Sequence, residues 1–311
     1  MKREALPILS QPDQRALDHY EQILRSEEDL TVDTFRNYLS HVRHFAAWCE
    51  ARSAEGEEQA SPFSPAAVTT PTITAYRTYL QHTLPLKPAS VNLSLVSLKR
   101  YFAWLTKTRQ IKQDLARVVK LVEQEVPPPR HLRDREEQAL VAIVTEWGNP
   151  RDRAIIVFML HTGLRAREVC MLTSAQIRLG KRSRTIQMLG KRNKYREIPL
   201  NATARAVLQV YDLSLQKYVQ DATPLFLSER THTSLTGRGL GYLIKKYAQR
   251  ANVRDVSPHD LRHRFGYRMA ESVPLQRLAQ LMGHDSLDTT MIYIQATKSE
   301  LQKEAEKVAW V

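Results

Sequence analysis

Apolar residues recur every three or four positions in two segments of the first third of the chain, 34–50 and 89–107. This spacing places them on one face of an α-helix, whereas the basic residues between the aromatic ones lie on other faces. A third helix is predicted for residues 72–84, after a loop (51–71) whose Ser, Pro, Gly and Glu residues bury little. We therefore predict a small helical bundle over residues 1–121.

A domain boundary is predicted at three consecutive prolines, 127–129, because proline cannot continue a helix and favours an extended segment. Residues 122–131 are taken as a Pro-rich linker and 132–311 as a second domain. The first two apolar patterns of this domain are helical. The second of them is apolar enough for the centre of a core and ends at Gly163.

The pattern then changes to alternation in segments 184–189 and 195–200, which predicts two strands joined by a short turn with Lys191 at its tip. Helical spacing returns after the second strand. Ser257 followed by Pro258 is typical of a helix start, and Gly283 of a helix end.

A last short helix is predicted for residues 287–294, with Ser286 as its cap. The predicted fold class is therefore mainly α with a small β-sheet, in two domains.

Charge identifies the class of partner. The 311 residues carry a net charge of +13 and a pI of about 9.8, which predicts a polyanion, nucleic acid before all others. The sequence has neither an apolar run of about eighteen residues nor a signal-peptide pattern. We expect a cytoplasmic protein, nucleoid-associated in a prokaryote, with no membrane partner. Cys49 and Cys170 are expected to be buried thiols in a reducing compartment.

Candidate chemistry is concentrated near the end of the chain. His259, Arg262, His284 and Tyr293 lie within one short stretch, and an upstream TGLRARE segment adds Arg165. Two guanidiniums, two imidazoles and a phenol suit cleavage of a phosphodiester without a metal. No cofactor is expected.

Four segments carry a resemblance to a known family: HTGLRAREVCMLT, GKRNKYREIPL, SPHDLRHRFGYRMAE and LAQLMGHDSLDTTMIYIQA. Their order and spacing resemble the tyrosine recombinases, the phage integrase family of site-specific DNA strand exchangers. The resemblance implies an N-terminal helical core-binding domain and a C-terminal α+β catalytic domain that enclose duplex DNA. It also implies an enzyme that cuts and rejoins DNA through a 3′-phosphotyrosyl intermediate, without metal or ATP.

The resemblance implies a role for each matching residue. Arg165 and Arg262 hold the scissile phosphate, since a guanidinium donates paired hydrogen bonds and keeps its charge. His284 donates another hydrogen bond to the phosphate. Tyr293 is the nucleophile, and His259 is the candidate for the base that ionises it.

Two further roles follow from the same resemblance. Lys191 protonates the departing 5′ oxygen, with Lys194 as the alternative. Glu168, one helical turn after Arg165, supports a catalytic neighbour. His263 is left out of the catalytic set, because we expect it to bond core backbone.

The implied partner is double-stranded DNA with an inverted-repeat recombination site. The protein is expected to act as a homo-oligomer, a dimer on each site and a tetramer in the synapse, with accessory DNA-bending proteins left open. So is the choice between an integrase, a resolvase and a transposase of a mobile element. The candidate DNA contacts are Arg43, Lys99, Arg100, Arg192 and Lys194.

Three other functions compete. A type IB topoisomerase-like enzyme uses the same residue types to relax supercoils. A non-catalytic sequence-specific DNA-binding protein explains the charge but does not need Tyr293. A metal-dependent phosphohydrolase has potential ligands in the same motifs, namely His259, Asp260, His263, His284 and Asp285.

The residues after 296 form an amphipathic pattern, with Leu301, Ala305 and Val308 on one helical face. In the family that the chain resembles, such tails dock on a neighbouring protomer. Deletion from Lys298 onward is therefore expected to weaken assembly on paired sites and to spare binding to a single site. Gel shifts with one-site and two-site duplexes measure both quantities, and equal loss of the two contradicts the prediction.

Overall fold

The computed structural model describes residues 9, 11–26, 32–54, 63–124, 130–179, 184–189, 195–215, 223–284, 286–293 and 305–306. The chain divides into two compact units, Met1–Val126 and Pro127–Val311. This division falls within the segment predicted as a linker, whose prolines lie outside the described residues. The assignment of the units as core-binding and catalytic domains stays a prediction.

Among its described residues, the first unit has four α-helices: α1 (Gln11–Ser26), α2 (Val32–Ala54), α3 (Thr70–Thr78), extended by a π-helical turn (Tyr79–Thr83), and α4 (Pro88–Lys107). The three predicted helices are confirmed. Helix α1 was missed, although it buries Leu17, Tyr20 and Leu24 at helical spacing.

Aromatic rings form much of the core of this unit. Tyr20 meets Tyr101 edge to face with centroids 5.0 Å apart, and Phe45 meets Tyr76 in the same way, also at 5.0 Å. Such pairs add specific geometry to the burial of large apolar surfaces.

The second unit begins with α5 (Asp134–Trp147), α6 (Pro150–Thr162) and α7 (Ala166–Met171). Strands β1 (Ile177–Leu179), β2 (Arg184–Leu189) and β3 (Tyr195–Pro199) follow and form an antiparallel sheet in that order. The remaining helices are α8 (Ala202–Leu215), α9 (Gly237–Arg250), α10 (Pro258–Ala270), α11 (Leu275–Met282) and α12 (Asp288–Met291). The mainly helical class with a small sheet is confirmed.

Helix α6 lies in the centre of the core of this unit, because its residues from Ala154 to Leu160 are all buried. Ile186 of β2 is paired with Ile177 on one side and Ile198 on the other. The alternation that predicted β2 and β3 is therefore confirmed. Strand β1 was missed, since three residues are too few to show a period.

Two local expectations were wrong or incomplete. Helix α12 begins at Asp288 with Leu287 in the capping position, so Ser286 is not its cap. Both cysteines are free thiols, but Cys49 is only half-buried. Burial raises the pKa of Cys49 to about 12 and that of Cys170 to about 11.

Within the described ranges, no helix combines the length and apolar character needed to cross a bilayer.

Candidate active site

Helix α10 is the element that presents most of the candidate residues. It starts where the backbone N–H and hydroxyl of Ser257 both donate to Asp260, at 2.7 and 2.6 Å. On its far side, Arg264 and Arg268 donate to the two carboxylate oxygens of Glu137 on α5, at 2.5 and 2.8 Å. These bonds fix the rotation of α10 about its axis and so the face that it presents.

Arg262 is almost fully buried, with 3% of its surface exposed. Its Nη1 donates to the carbonyl of Gly163 at 2.6 Å and its Nη2 to that of Met282 at 2.8 Å. These carbonyls lie at the C-terminal ends of α6 and α11, where helical partners are missing and the helix dipole is negative. Burial and the nearby Arg165 lower the pKa of Arg262 to about 10, which still leaves it charged at neutral pH.

Both helices end at a glycine in the left-handed conformation, Gly163 with φ 62° and Gly283 with φ 63°. At Gly283 a β-carbon would lie 1.9 Å from the Nη1 of Arg196. The turn therefore requires the glycine, and a side chain there would also have to displace the guanidinium of Arg196 that lies against it.

Arg165 immediately precedes α7 and is half-exposed. Its Nη2 donates to the carbonyl of Gly283 at 2.7 Å, and its Nη1 to Glu168 at 3.2 Å. Glu168 also accepts the backbone N–H of Arg165 at 2.7 Å. Arg165 and Arg262 therefore converge on the same turn after α11, as their roles in the predicted site require.

Arg196 on β3 is a third guanidinium that sequence reasoning missed. Its Nη2 donates to both carboxylate oxygens of Glu168, at 2.9 and 3.0 Å, and 15% of its side chain is exposed. The sequence does indicate that Arg196 points inward, because Arg196 and the buried Ile198 are two positions apart and lie on the same face of the strand.

Glu168 therefore lies among three guanidiniums, with Arg262 at 3.9 Å as the most distant. Three positive charges against one negative charge leave the cluster with an excess of two. An anion with the charge of a phosphodiester, which grows during phosphoryl transfer, matches this excess.

His284 follows Gly283 and contacts the buried arginine. Its Nε2 lies 2.9 Å from Nη2 of Arg262, and its Nδ1 lies 2.7 Å from the hydroxyl of Thr290, which is fully buried. A guanidinium only donates, so Nε2 accepts and Nδ1 carries the proton. Burial, followed by Arg262 and Arg165, lowers the pKa of His284 to about 4. The imidazole is therefore neutral at pH 7.

Tyr293 is 6% exposed and packs with Phe265, Leu278 and Met282. Its ring lies directly on the backbone of Gly266, where a β-carbon would come within 2.6 Å of the phenol carbon Cζ. Burial raises the pKa of Tyr293 to about 12, although Arg262 opposes the shift. The phenol is therefore protonated at neutral pH in this state.

The hydroxyl of Tyr293 lies 2.9 Å from Nδ1 of His263. The expectation that His263 bonds core backbone is therefore wrong. His259, one turn earlier on α10, is exposed, and its ring stacks on that of His263 with centroids 5.6 Å apart. Partial burial and Arg262 lower the pKa of His259. The spacing of two histidines on one helix gave no indication of which one the tyrosine contacts.

Lys191, Arg192 and Lys194 lie outside the described residues. In the first unit, Lys99 donates to the carbonyl of Arg117 at 3.1 Å, and Arg100 lies over the ring of Tyr38 at 5.5 Å. Arg43, on α2, is half-buried. In the part of the chain that the structure describes, no group of three or more His, Cys, Asp or Glu side chains could hold a metal ion. Asp285 lies outside that part.

Comparison with known proteins places the chain in a family. Residues 130–300 match the model of the Phage integrase family. Tyrosine recombinase XerD of Ralstonia nicotianae is 31% identical over 228 residues, covering 69% of this chain and 71% of XerD. Tyrosine recombinase XerC of Bacillus subtilis is 26% identical over 290 residues, covering 90% and 91%.

Solved structures show the same fold. The XerH site-specific recombinase, bound to its difH substrate in a pre-cleavage complex, has a TM-score of 0.68 at 20% identity and matches 93% of this chain and 83% of XerH.

Gly283→Ala is expected to lower the free energy of unfolding by about 1–2 kcal/mol, because alanine is strained at positive φ, and to reduce DNA cleavage by displacing Arg196 and the turn that Arg165 contacts. Urea unfolding and cleavage assays measure both effects. Gly241→Ala is the matched control, since a β-carbon there meets nothing within 4 Å, and it should stabilise α9 by about 0.5–1 kcal/mol. Unchanged stability and cleavage in Gly283→Ala would refute the role of this turn.

Proposed function

The chain belongs to the phage integrase family, and on that premise we propose which of its residues carry out the reaction of a tyrosine recombinase. The enzyme breaks and rejoins DNA at specific sites through a tyrosine-linked intermediate. The observation that carries the assignment of residues is the convergence of Arg165, Arg262, His284 and Tyr293 around the turn at Gly283.

Arg165 and Arg262 bind the non-bridging oxygens of the scissile phosphate. Arg262 is held by two backbone carbonyls, so its orientation is set before DNA arrives. Arg165 is more exposed, with 41% of its side chain accessible, and can turn toward DNA. Preorganised donors of this kind contribute about 10²–10³ in rate each, because they stabilise charge that develops in the transition state. Glu168 and Arg196 keep both arginines in place.

Tyr293 attacks phosphorus and forms a 3′-phosphotyrosyl bond, and the departing 5′ oxygen takes a proton from Lys191, or from Lys194 in its place. The new bond conserves the energy needed for rejoining, so ATP is not required. His284 lies beside Arg262 and accepts a hydrogen bond from it, so in this state the imidazole orients the arginine rather than donating to the phosphate itself. The family resemblance assigns the base for Tyr293 to His259, which lies at the exposed first turn of α10.

DNA is the partner of this enzyme. We expect an inverted-repeat site that binds two protomers, with four in the synapse. The first unit contributes Arg43, Lys99 and Arg100 to phosphate contacts, and the segment between β2 and β3 contributes Arg192 and Lys194. Because the substrate is DNA, we assign the protein to the cytoplasm and the nucleoid of a prokaryotic cell. The same chemistry serves an integrase, a resolvase and the transposase of a mobile element.

The alternatives are not favoured. The curated relatives are Xer recombinases, a match that supports strand exchange rather than relaxation of supercoils. A protein that only binds DNA has no use for a tyrosine seated next to a buried arginine cluster.

Tyr293→Phe is expected to abolish covalent attachment to DNA and to leave binding unchanged, because only the nucleophilic oxygen is removed. The substrate is a nicked duplex built from the sequence that the protein selects from a random duplex library. The measurement is an SDS-resistant protein–DNA adduct formed in EDTA, with a gel shift as the control for binding. An adduct that persists in Tyr293→Phe identifies a different nucleophile and refutes the proposed function.

Arg262→Ala and Arg165→Ala are expected to reduce cleavage by at least about 10²-fold but to differ in stability. Loss of Arg262 leaves two buried carbonyls without donors, at about 1–3 kcal/mol each, whereas the groups that Arg165 releases are partly exposed to water. Urea unfolding should therefore separate the two variants. Equal stability would show that the helix ends do not depend on Arg262.

A further inference from the structure

We propose that His263, rather than His259, takes the proton of Tyr293 as the phenol attacks the phosphate. The inference rests on the proposed function, because it concerns the same nucleophile. The phenol oxygen and Nδ1 of His263 are 2.9 Å apart, within the range over which a base removes a proton directly. His259 stacks on the ring of His263, and among the described residues it forms no hydrogen bond or ring contact with Tyr293.

The packing around Tyr293 directs its hydroxyl to this partner. The ring is seated on Gly266, and the edge of Tyr267 closes another side with centroids 5.2 Å apart. Among the residues that the structure describes, the hydroxyl forms a hydrogen bond only with His263. His263, which follows the buried Arg262 in the HDLRH segment, is therefore in direct contact with the oxygen of Tyr293 that attacks phosphorus.

Burial, followed by the charged groups that face His263, lowers the pKa of its imidazole and keeps it neutral. They come from His259, Asp260 and Arg262 on α10, and from His131 before α5. Burial, with His259 as the next cause, lowers the pKa of His263 to about 4, and Asp260 is the one group among these that opposes the shift. A neutral imidazole with its proton on Nε2 has a free lone pair on Nδ1, the nitrogen that faces Tyr293.

The proton balance is complete without another reactant. The O–H bond of Tyr293 breaks and an N–H bond forms at Nδ1 of His263. The phenol oxygen forms a bond to phosphorus, and the bond from phosphorus to the 5′ oxygen breaks, with a proton for that oxygen from the lysine between β2 and β3. In rejoining, the 5′ hydroxyl gives its proton back to that lysine and bonds to phosphorus, the bond from phosphorus to the phenol oxygen breaks, and His263 returns its proton to the phenol oxygen.

The same arrangement prevents ionisation in the absence of DNA. At rest the pKa of Tyr293 is about 12 and that of His263 about 4, so the proton stays on the tyrosine. A phosphate held by Arg165 and Arg262 adds negative charge near the imidazole and raises its pKa. Transfer then accompanies attack, because the charge leaving the phenol oxygen moves onto a phosphate that the arginines stabilise.

The test uses the nicked duplex described above and the full chain. His263→Ala should bind DNA normally and form adduct about 10²-fold more slowly. Added imidazole should restore the rate, and across substituted imidazoles the restored rate should rise with basicity. His263→Asn keeps an acceptor at the position of Nδ1 but cannot take a proton, so it should retain the stability of the wild type and still react slowly.

Two comparisons locate the defect. His259→Ala, a change one turn earlier on the same helix, should not be rescued by imidazole. A substrate with sulfur at the bridging 5′ position has a leaving group that needs no proton, so it should rescue Lys191→Ala and leave the defect of His263→Ala unchanged. Histidine nitrogen NMR of the intact protein adds a readout without DNA, because Tyr293→Phe should shift the Nδ1 signal of His263.

Several results overturn the inference: full activity in His263→Asn, rescue that does not depend on basicity, rescue of His259→Ala instead, or an Nδ1 signal that Tyr293→Phe leaves unmoved. Failure of the proposed function has a different signature. In that case the wild type forms no adduct at Tyr293, and every His263 variant is equally inactive. If His263→Ala fails to fold, His263→Asn and the NMR measurement still decide.

Discussion

The rest of the site depends on one interaction, a buried guanidinium bonded to the carbonyl ends of two helices. Placing a charge in a protein interior is costly unless hydrogen bonds and opposite charge surround it. Arg262 receives both from the last carbonyls of α6 and α11, and from Glu168 at a greater distance. Because the bonds run to backbone, they survive changes in side-chain rotamers and leave the charge available to an incoming anion.

This interaction explains why short motifs far apart in the chain act as one unit. Gly163 and Gly283 end the two helices in the left-handed conformation, so that the carbonyls of Gly163 and Met282 both point at the guanidinium of Arg262. The turn at Gly283 then delivers His284 to Arg262 and offers its own carbonyl to Arg165. A change at the C-terminal end of α11 therefore alters the positions of both arginines and of the imidazole of His284.

Most of the helices and the paired strands β2 and β3 could be predicted from the sequence because their hydrophobic periods are long enough to recognise, and Gly163, Ser257 and Gly283 mark helix ends by local chemistry. Helix α1 was missed. Strand β1 is too short to show a period. Arg196 was overlooked because its partner, Glu168, is 28 residues away along the chain. The choice between His259 and His263 depends on where Tyr293 packs, and its seat on Gly266 is set by tertiary contacts that no local pattern records.

Burial of the nucleophile is consistent with a reaction that must not start without substrate. An exposed, ionised phenol beside three guanidiniums would be reactive toward any suitable electrophile. In this structure the apolar neighbours of Tyr293 raise its pKa, and its hydrogen-bond partner is a neutral imidazole that cannot stabilise a phenolate by charge. The guanidiniums that favour ionisation of the phenol donate hydrogen bonds to Glu168 and to backbone carbonyls instead. A bound phosphodiester changes this balance, because it receives the hydrogen bonds of the arginines and becomes the place where the negative charge of the phenol is stabilised.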